Sequence, residues 1–406
     1  MQMTLYQKLQ NEFKNHRDFW NYYDMGSDDV LGNEQKARKF IYDYFKRGSK
    51  QYVLGAGTNF EKEYINARNV HTVNVFFIGA YLQRMIDEYL AIESEVSSSY
   101  PFSYLWYLLS LAHDFGYRYE NDSKVYLDMP ERIDYRRSYH LDTKGASMFT
   151  PREYWYREHG INVLHTYPPY GEKSRWRYHV PREMREYNGN IVYNNGTVID
   201  MQRYTRKTIN NYFYYRLNEM RTLDHGIVGA DDFFSKLKIN YMNEYRKVAK
   251  HDFFRGNLNE FHNEHGLHFC SEQFKIFTYI ADCIASHNVY KAGVMTRDDY
   301  EKYDLNSLVG NRFKPISYED NPLLFILCVA DTIEPSKRFE NYSNERLLDL
   351  LSIDYHVGKK SLHIVMDEEL YDSAAGRKYV AGVEGLKHWC DIKTSVERVR
   401  FSDRIM

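Results

Sequence analysis

Cysteine is scarce in this chain. There are four in 406 residues, Cys270, Cys283, Cys328 and Cys390, and no two have the Cys-x-x-Cys spacing of a zinc or redox site. That excludes a disulfide-stapled scaffold and points to reduced, mostly buried thiols in a cytoplasmic protein. No apolar run approaches membrane-spanning length, so no membrane partner is expected. The opening Met1-Gln2-Met3-Thr4-Leu5-Tyr6-Gln7 turns polar within a few residues and does not read as a signal peptide. Net charge is also missing: 54 Lys plus Arg against 56 Asp plus Glu leave −2, and no whole-chain field recruits nucleic acid or an anionic surface. Gly55-Ala56-Gly57 lacks the preceding strand and the following Lys-Ser/Thr of a phosphate loop, and reads as a turn.

What the chain does have is apolar runs that end in His or Asp. Leu105-Trp106-Tyr107-Leu108-Leu109-Ser110-Leu111-Ala112-His113-Asp114-Phe115-Gly116 predicts a helix buried on all sides, with Gly116 suited to its C-cap. A carboxylate at the end of such a helix is costly unless something cationic meets it. Residues 68–80 predict another largely buried helix with His71 in its first turns. His225 stands at the expected start of a helix, followed by the small Gly229 and Ala230, which allow close packing. Ile276, Phe277, Ile280, Ala281, Ile284 and His287 share one helical face. Leu323-Leu324-Phe325-Ile326-Leu327-Cys328-Val329-Ala330-Asp331 predicts a second buried helix with a carboxylate near its end.

Taken singly, each of these is as well explained by a cap or a satisfied core histidine. Six buried His and Asp residues with no comparable number of buried Lys or Arg favour a metal centre. Mixed imidazole and carboxylate ligands suit iron, manganese, zinc or cobalt and do not suit calcium. Six ligands exceed one tetrahedral zinc, so two divalent transition-metal ions bridged by Asp114 are the expected cofactors. Two other groups compete for this role. Lys250-His251-Asp252 repeats the His-Asp pair in a polar context and reads as surface. His262, His265 and His268, with Cys270 nearby, fit no standard zinc spacing.

Between the helices the texture changes. Residues 117–224 hold 16 of the 39 Tyr, and 18 Lys plus Arg against 14 Asp plus Glu. The stretch predicts an inserted subdomain, with a hairpin turning at Asn195-Gly196. Its Arg175-Trp176-Arg177-Tyr178 can hold phosphate and stack a base, or serve self-association. Residues 231–270 predict a second, shorter insertion.

Near the N-terminus, Thr4 and Gln7 predict a capping box ahead of Leu5, Leu9 and Phe13. Ala37, Phe40, Ile41 and Phe45 predict a second helix. Toward the C-terminus, Asn344 is expected to cap a short helix. Ile353-Tyr355-Val357 and Leu362-Ile364-Met366 predict a hairpin around residues 358–360, and residues 383–396 predict a helix.

The order of these motifs resembles the HD-domain metal-dependent phosphohydrolases, and within them the bacterial enzymes that cleave diadenosine tetraphosphate symmetrically. The resembling pieces are Arg68-x-x-His71-Thr72, Leu111-Ala112-His113-Asp114, His225-Gly226-x-x-Gly229-Ala230, Ile284-x-x-His287 and Val329-Ala330-Asp331-x-Ile333-Glu334-Pro335-x-x-Arg338. They span about a third of the chain. The resemblance implies a mainly α, HD-type helical core and a two-metal site held by His71, His113, Asp114, His225, His287 and Asp331. It implies hydrolysis of a phosphoester or phosphoanhydride in a nucleotide-type small molecule. Relatives often carry a Lys three residues after the His-Asp pair, where this chain has Tyr117. The insertion is also longer than in the compact relatives, so the expectation stops at the reaction class.

The expected organisation is an HD-type core over residues 1–340, interrupted by the two insertions, with a small α+β appendage over residues 341–406. Asp114, Arg68 and Arg338 are the candidate catalytic residues, the two arginines as phosphate contacts or as braces. Arg175, Arg177 and Tyr117 are the candidate substrate contacts, on an insertion expected to wall the metal site or else to join copies of the chain. Other expectations for the substrate are a deoxynucleoside triphosphate, a cyclic nucleotide or single-stranded nucleic acid, the last not favoured. A sensor that binds a nucleotide without cleaving it is the alternative to an enzyme.

Overall fold

A computed structural model describes residues 3–15, 31, 35, 69–86, 91–92, 100–117, 191–192, 198–199, 212, 215–216, 219–220, 222, 224–227, 229–230, 233, 279–281, 283–289, 299–303, 305, 315–319 and 321–401. The expected helix at Ala37 to Phe45 and the turn at residues 55–57 lie outside them. So do Lys250-His251-Asp252 and the group of His262, His265, His268 and Cys270.

The described helices are α1 (Leu5–Asn15), α2 (Asn69–Ile86), α3 (Phe102–Ala112), α4 (Asp299–Lys302), α5 (Pro322–Ile333), α6 (Asn344–Asp349), α7 (Glu368–Tyr371) and α8 (Ala374–Gly385). The strands are β1 (Ala91–Ile92), β2 (Tyr100–Pro101), β3 (Ile191–Val192), β4 (Val198–Ile199), β5 (Leu351–His356), β6 (Ser361–Asp367) and β7 (Lys393–Val399). The described residues are mostly helical, with a small sheet near the C-terminus. Among the described residues no helix is long and apolar enough to cross a membrane. Cys283, Cys328 and Cys390 are buried thiols outside any disulfide.

The chain divides into two compact units. One comprises Met1–Glu93, Ser99–Leu111 and Lys314–Met406; the other comprises Ser94–Ser98 and Ala112–Phe313.

In the first unit, α1 starts on a reciprocal cap. The Thr4 hydroxyl accepts from the Gln7 amide at 3.2 Å, and the Gln7 side-chain oxygen accepts from the Thr4 amide at 3.2 Å. Leu5 and Leu9 are then fully buried. Helix α2 is buried nearly all round and packs on α5. Helix α5 begins with Asn321, whose side chain accepts from the Leu324 amide at 3.1 Å, and with Pro322 in the first turn. Every residue of α5 except Asp331 is buried.

Helix α3 meets α2 through Trp106. The ring lies over Gly79, where an added Cβ would come within 1.9 Å of it. The indole N–H donates to the Phe76 carbonyl at 2.8 Å, and Phe76 meets the Tyr107 ring edge-on at 5.6 Å. Burying side chains of this kind contributes about 1.5–3 kcal/mol each.

The sheet near the C-terminus runs β5-β6-β7. Strands β5 and β6 are antiparallel, from Leu351 opposite Met366 to His356 opposite Ser361. The turn between them places Lys360 in the left-handed region at φ 46°. Strand β7 returns parallel to β6 after α7 and α8.

Two expectations need correction here. Residues 383–396 are not one helix: α8 ends at Gly385, a 3-10 turn follows over Leu386–His388, and Lys393–Val399 is a strand. The β7 residues alternate mostly between half-buried and exposed, and their pairing with β6 is a non-local ladder that outweighs local helical preference. Asn344 is not a cap. Ser343 takes that place, its hydroxyl accepting from the Arg346 amide at 3.3 Å, and Asn344 is the first helical residue.

In the second unit the turn at residues 113–116 follows α3 directly. Gly116 comes against the backbone of His225 and Gly229: a Cβ there would lie 1.9 Å from the His225 carbonyl oxygen. Asp224 starts the helical residues 225–227, its carboxylate accepting from the Ile227 amide at 2.9 Å. The β3–β4 pair forms across the expected Asn-Gly turn, with Val192 opposite Val198.

Gly79→Val should cost about 1–3 kcal/mol by forcing the Trp106 ring off its seat. Gly385→Ala, at a position with nothing within 4 Å, should be neutral or slightly stabilising. Thermal unfolding of both variants checks this, and equal losses would show that the α2–α3 packing is not close.

Candidate metal centre

In the first unit, α2 carries His71 and α5 carries Asp331, and the packing of the two helices sets His71 Nε2 3.2 Å from Asp331 Oδ1. The other ring nitrogen, Nδ1, lies 2.5 Å from Glu334 Oε2. Glu334 is fully buried. Its second oxygen accepts from the Asn74 side chain at 2.7 Å and from the Ser336 amide at 2.9 Å. Burial pushes the Glu334 carboxyl up, but the His71 charge and the hydrogen bonds from His71, Asn74 and Ser336 outweigh it and hold the group below the usual carboxylate range. Glu334 is therefore a carboxylate, and it can only accept. The bond it forms must be donated by Nδ1–H of His71, so Nε2, facing Asp331, is the nitrogen left to take a metal ion.

Asp331 is the least buried of these residues, with 11% of its side chain exposed, and it also receives Lys337 Nζ at 2.7 Å. Arg338, an expected phosphate contact or brace, donates to the Thr332 carbonyl at 3.3 Å and lies 5.8 Å from the Tyr379 ring centre. It is not among the ligand atoms.

In the second unit, Asp114, His225 and His287 each offer one ligand atom, and the three atoms lie within 4.8 Å of one another. All three residues are buried. Asp114 Oδ1 is 3.2 Å from His113 Nε2 and 3.6 Å from His225 Nε2. His287 Nδ1 lies 2.6 Å from the Ile284 carbonyl, one turn earlier on its own helix, so that nitrogen carries the proton and Nε2 carries the lone pair. The rings of His113 and His225 meet His287 edge-on at 5.7 and 5.3 Å. The Asn288 side-chain amide lies 2.7 Å from His225 Nε2. Tyr117, an expected substrate contact, stacks on the His225 ring with centroids 3.6 Å apart. Close passage of Gly226 keeps His287 in place, since a Cβ there would meet the imidazole at 3.0 Å and the Ile284 carbonyl at 2.8 Å.

The donor set fits a transition metal. It offers imidazole nitrogens and carboxylate oxygens in a buried setting, and in His71 and His287 an acceptor on Nδ1 leaves Nε2 for the ion. Buried His and Asp groups of this protein can hold metal ions. The six expected ligands divide between the units: His71 and Asp331 come together in one, and His113, Asp114, His225 and His287 in the other. Arg68, Arg175 and Arg177 lie outside the described residues.

Sequence reasoning assigned no role to Asn74, Asn288, Lys337 or Glu334. Two signals were available: Asn74 follows His71, and Glu334 follows Asp331, by three residues, the spacing that puts side chains on one helical face. Asn288 and Lys337 carry no such signal.

Comparison of the chain with models of protein families, with curated proteins and with solved structures finds no match.

Divalent iron, manganese, zinc or cobalt should raise the melting temperature of metal-stripped protein, since a ligand at a hundred times its Kd adds about 2.7 kcal/mol. His287→Ala and Asp114→Ala should each remove most of that gain and lower bound metal in elemental analysis. His251→Ala and Asp252→Ala should change neither; a loss there would mean that the wrong His-Asp pair was identified.

Proposed function

We propose that the protein is a metal-dependent phosphohydrolase of the HD-domain type, acting on a phosphoester or phosphoanhydride of a nucleotide-type small molecule. One observation carries the reading: Asp114, His225 and His287 are buried, and their ligand atoms lie within 4.8 Å of one another. The order of the sequence motifs supports it. The same resemblance assigns His71, His113, Asp114, His225, His287 and Asp331 to a single centre with two transition-metal ions, and that assignment rests on the sequence.

Bound metal ions would supply Lewis acidity and lower the pKa of a bound water toward neutrality. The rest falls to the chain's own residues. His71 and His287 each hold a proton on Nδ1 and present Nε2, so neither ring needs to reorient to bind. Burial of Asp114 and the three histidines around it keeps bulk water from competing for the carboxylate. Tyr117, which covers one face of the His225 ring, is the aromatic side chain assigned to the substrate. Arg68, Arg175 and Arg177 are assigned to the substrate phosphates by charge alone.

The expected outcome is that metal-loaded protein cleaves at least one member of a panel of dinucleoside polyphosphates, nucleoside triphosphates, cyclic nucleotides and oligonucleotides. Asp114→Asn should bring turnover to background with circular dichroism unchanged. Tight binding of one compound with no cleavage of any would replace the enzyme by a nucleotide sensor. Charge reversal at Arg175 and Arg177 should raise KM with kcat and metal content intact, as expected when a contact is equal in the ground and transition states. If it splits an oligomer and leaves KM unchanged, the insertion serves assembly.

A further inference from the structure

We infer that Glu334 is a positioning residue: it fixes the proton of His71 on Nδ1 and thereby aims the Nε2 lone pair at the metal. The inference rests on the reading of His71 as a metal ligand and deepens it.

The argument is a count of donors around one buried carboxylate. Glu334 Oε1 receives Asn74 Nδ2 at 2.7 Å and the Ser336 backbone N–H at 2.9 Å. Neither donor can turn into an acceptor without losing its other contacts. The Ser336 group is backbone. The Asn74 side chain is locked by a reciprocal amide pair with Asn344: Asn74 Nδ2 donates to Asn344 Oδ1 at 2.7 Å, and Asn344 Nδ2 returns the bond to Asn74 Oδ1 at 3.1 Å. Asn344 is held in turn by the Leu31 carbonyl at 2.6 Å. Asn74, Glu334 and Asn344 are all buried, so water does not substitute for a missing partner. The orientation of the carboxyl group is therefore set, and Oε2 faces His71 Nδ1 at 2.5 Å as an acceptor. A metal-binding imidazole is neutral and keeps one N–H. With that proton committed to Glu334, the nitrogen facing Asp331 is the one able to bind a metal.

An isosteric replacement tests this. In Glu334→Gln the amide oxygen must take the Oε1 position, because both groups there are donors. The NH2 then faces His71 Nδ1 and turns that nitrogen into an acceptor, which moves the ring proton to Nε2 and blocks the ligand atom. The side-chain volume is unchanged, so packing alone does not distinguish the two proteins.

Nitrogen-15 NMR of selectively labelled histidine should find His71 Nδ1 protonated in the wild type, both metal-stripped and zinc-loaded. In Glu334→Gln it should find Nδ1 bare and Nε2 protonated. Zinc affinity measured by chelator competition should fall by about 10- to 100-fold in Glu334→Gln, the range for partners that orient a metal-binding histidine. A bare Nδ1 in the wild type overturns the inference without any variant being needed. So does a Glu334→Gln protein that binds zinc as tightly as the wild type. If the wild type binds no metal and yet keeps Nδ1 protonated, the metal reading fails and the tautomer assignment stands.

Discussion

A carboxylate cannot lie inside a packed apolar interior without donors aimed at it, and much of this protein's interior is arranged to meet that demand. Glu334 makes the constraint plainest. It follows the apolar helix α5, it is fully buried, and it is satisfied by three donors, from a histidine, an asparagine and a backbone amide. Leaving a charge of this kind without a partner costs about 3–5 kcal/mol, a large part of the net stability of a domain. Helices α2 and α5 must therefore pack in the register that brings His71 and Asn74 to Glu334. The same register places the other nitrogen of His71 against Asp331.

The second unit meets the demand differently. Asp114 ends an apolar run and faces imidazoles, His113 at 3.2 Å and His225 at 3.6 Å, and not a guanidinium or an ammonium group. Imidazole is a weak choice for pairing a carboxylate near neutral pH, where it is largely uncharged, and a good choice for sharing a metal ion with it. Stability alone does not call for such a cluster, since well-packed apolar residues of equal volume serve a core as well or better. The surrounding glycines carry the same message. Gly116 lies against the backbone of His225 and Gly229, Gly226 lies against the Ile284 carbonyl and the His287 ring, and a Cβ at either would collide with them.

Much of the site was legible in the sequence because it depends on local periodicity. Burial of α3 and α5 follows from unbroken apolar runs, and His287 follows Ile284 onto a buried face by helical spacing. The Thr4–Gln7 box and the β3–β4 pairing are contained within a few residues each. What could not be read are the contacts between segments far apart in the chain. Asn74 meets Glu334 across 260 positions and Asn344 across 270. The cap assigned to Asn344 moved to Ser343 because the neighbouring serine reaches the Arg346 amide, while the Asn344 amide is drawn inward to Asn74.

The sequence by itself determined that the chain is mostly helical, that His and Asp recur at the ends and on the inner faces of its most apolar helices, and that metal is the economical partner for them. Those conclusions need only spacing and side-chain chemistry. The tertiary structure alone decided which nitrogen of His71 and of His287 is tied to an acceptor, because that is set by whatever lies opposite the ring: a carboxylate for His71, a backbone carbonyl for His287. It also decided that Lys393–Val399 is a strand and not a helix. A polar segment of mixed propensity takes the form of the edge it pairs with, and β6 offered that edge.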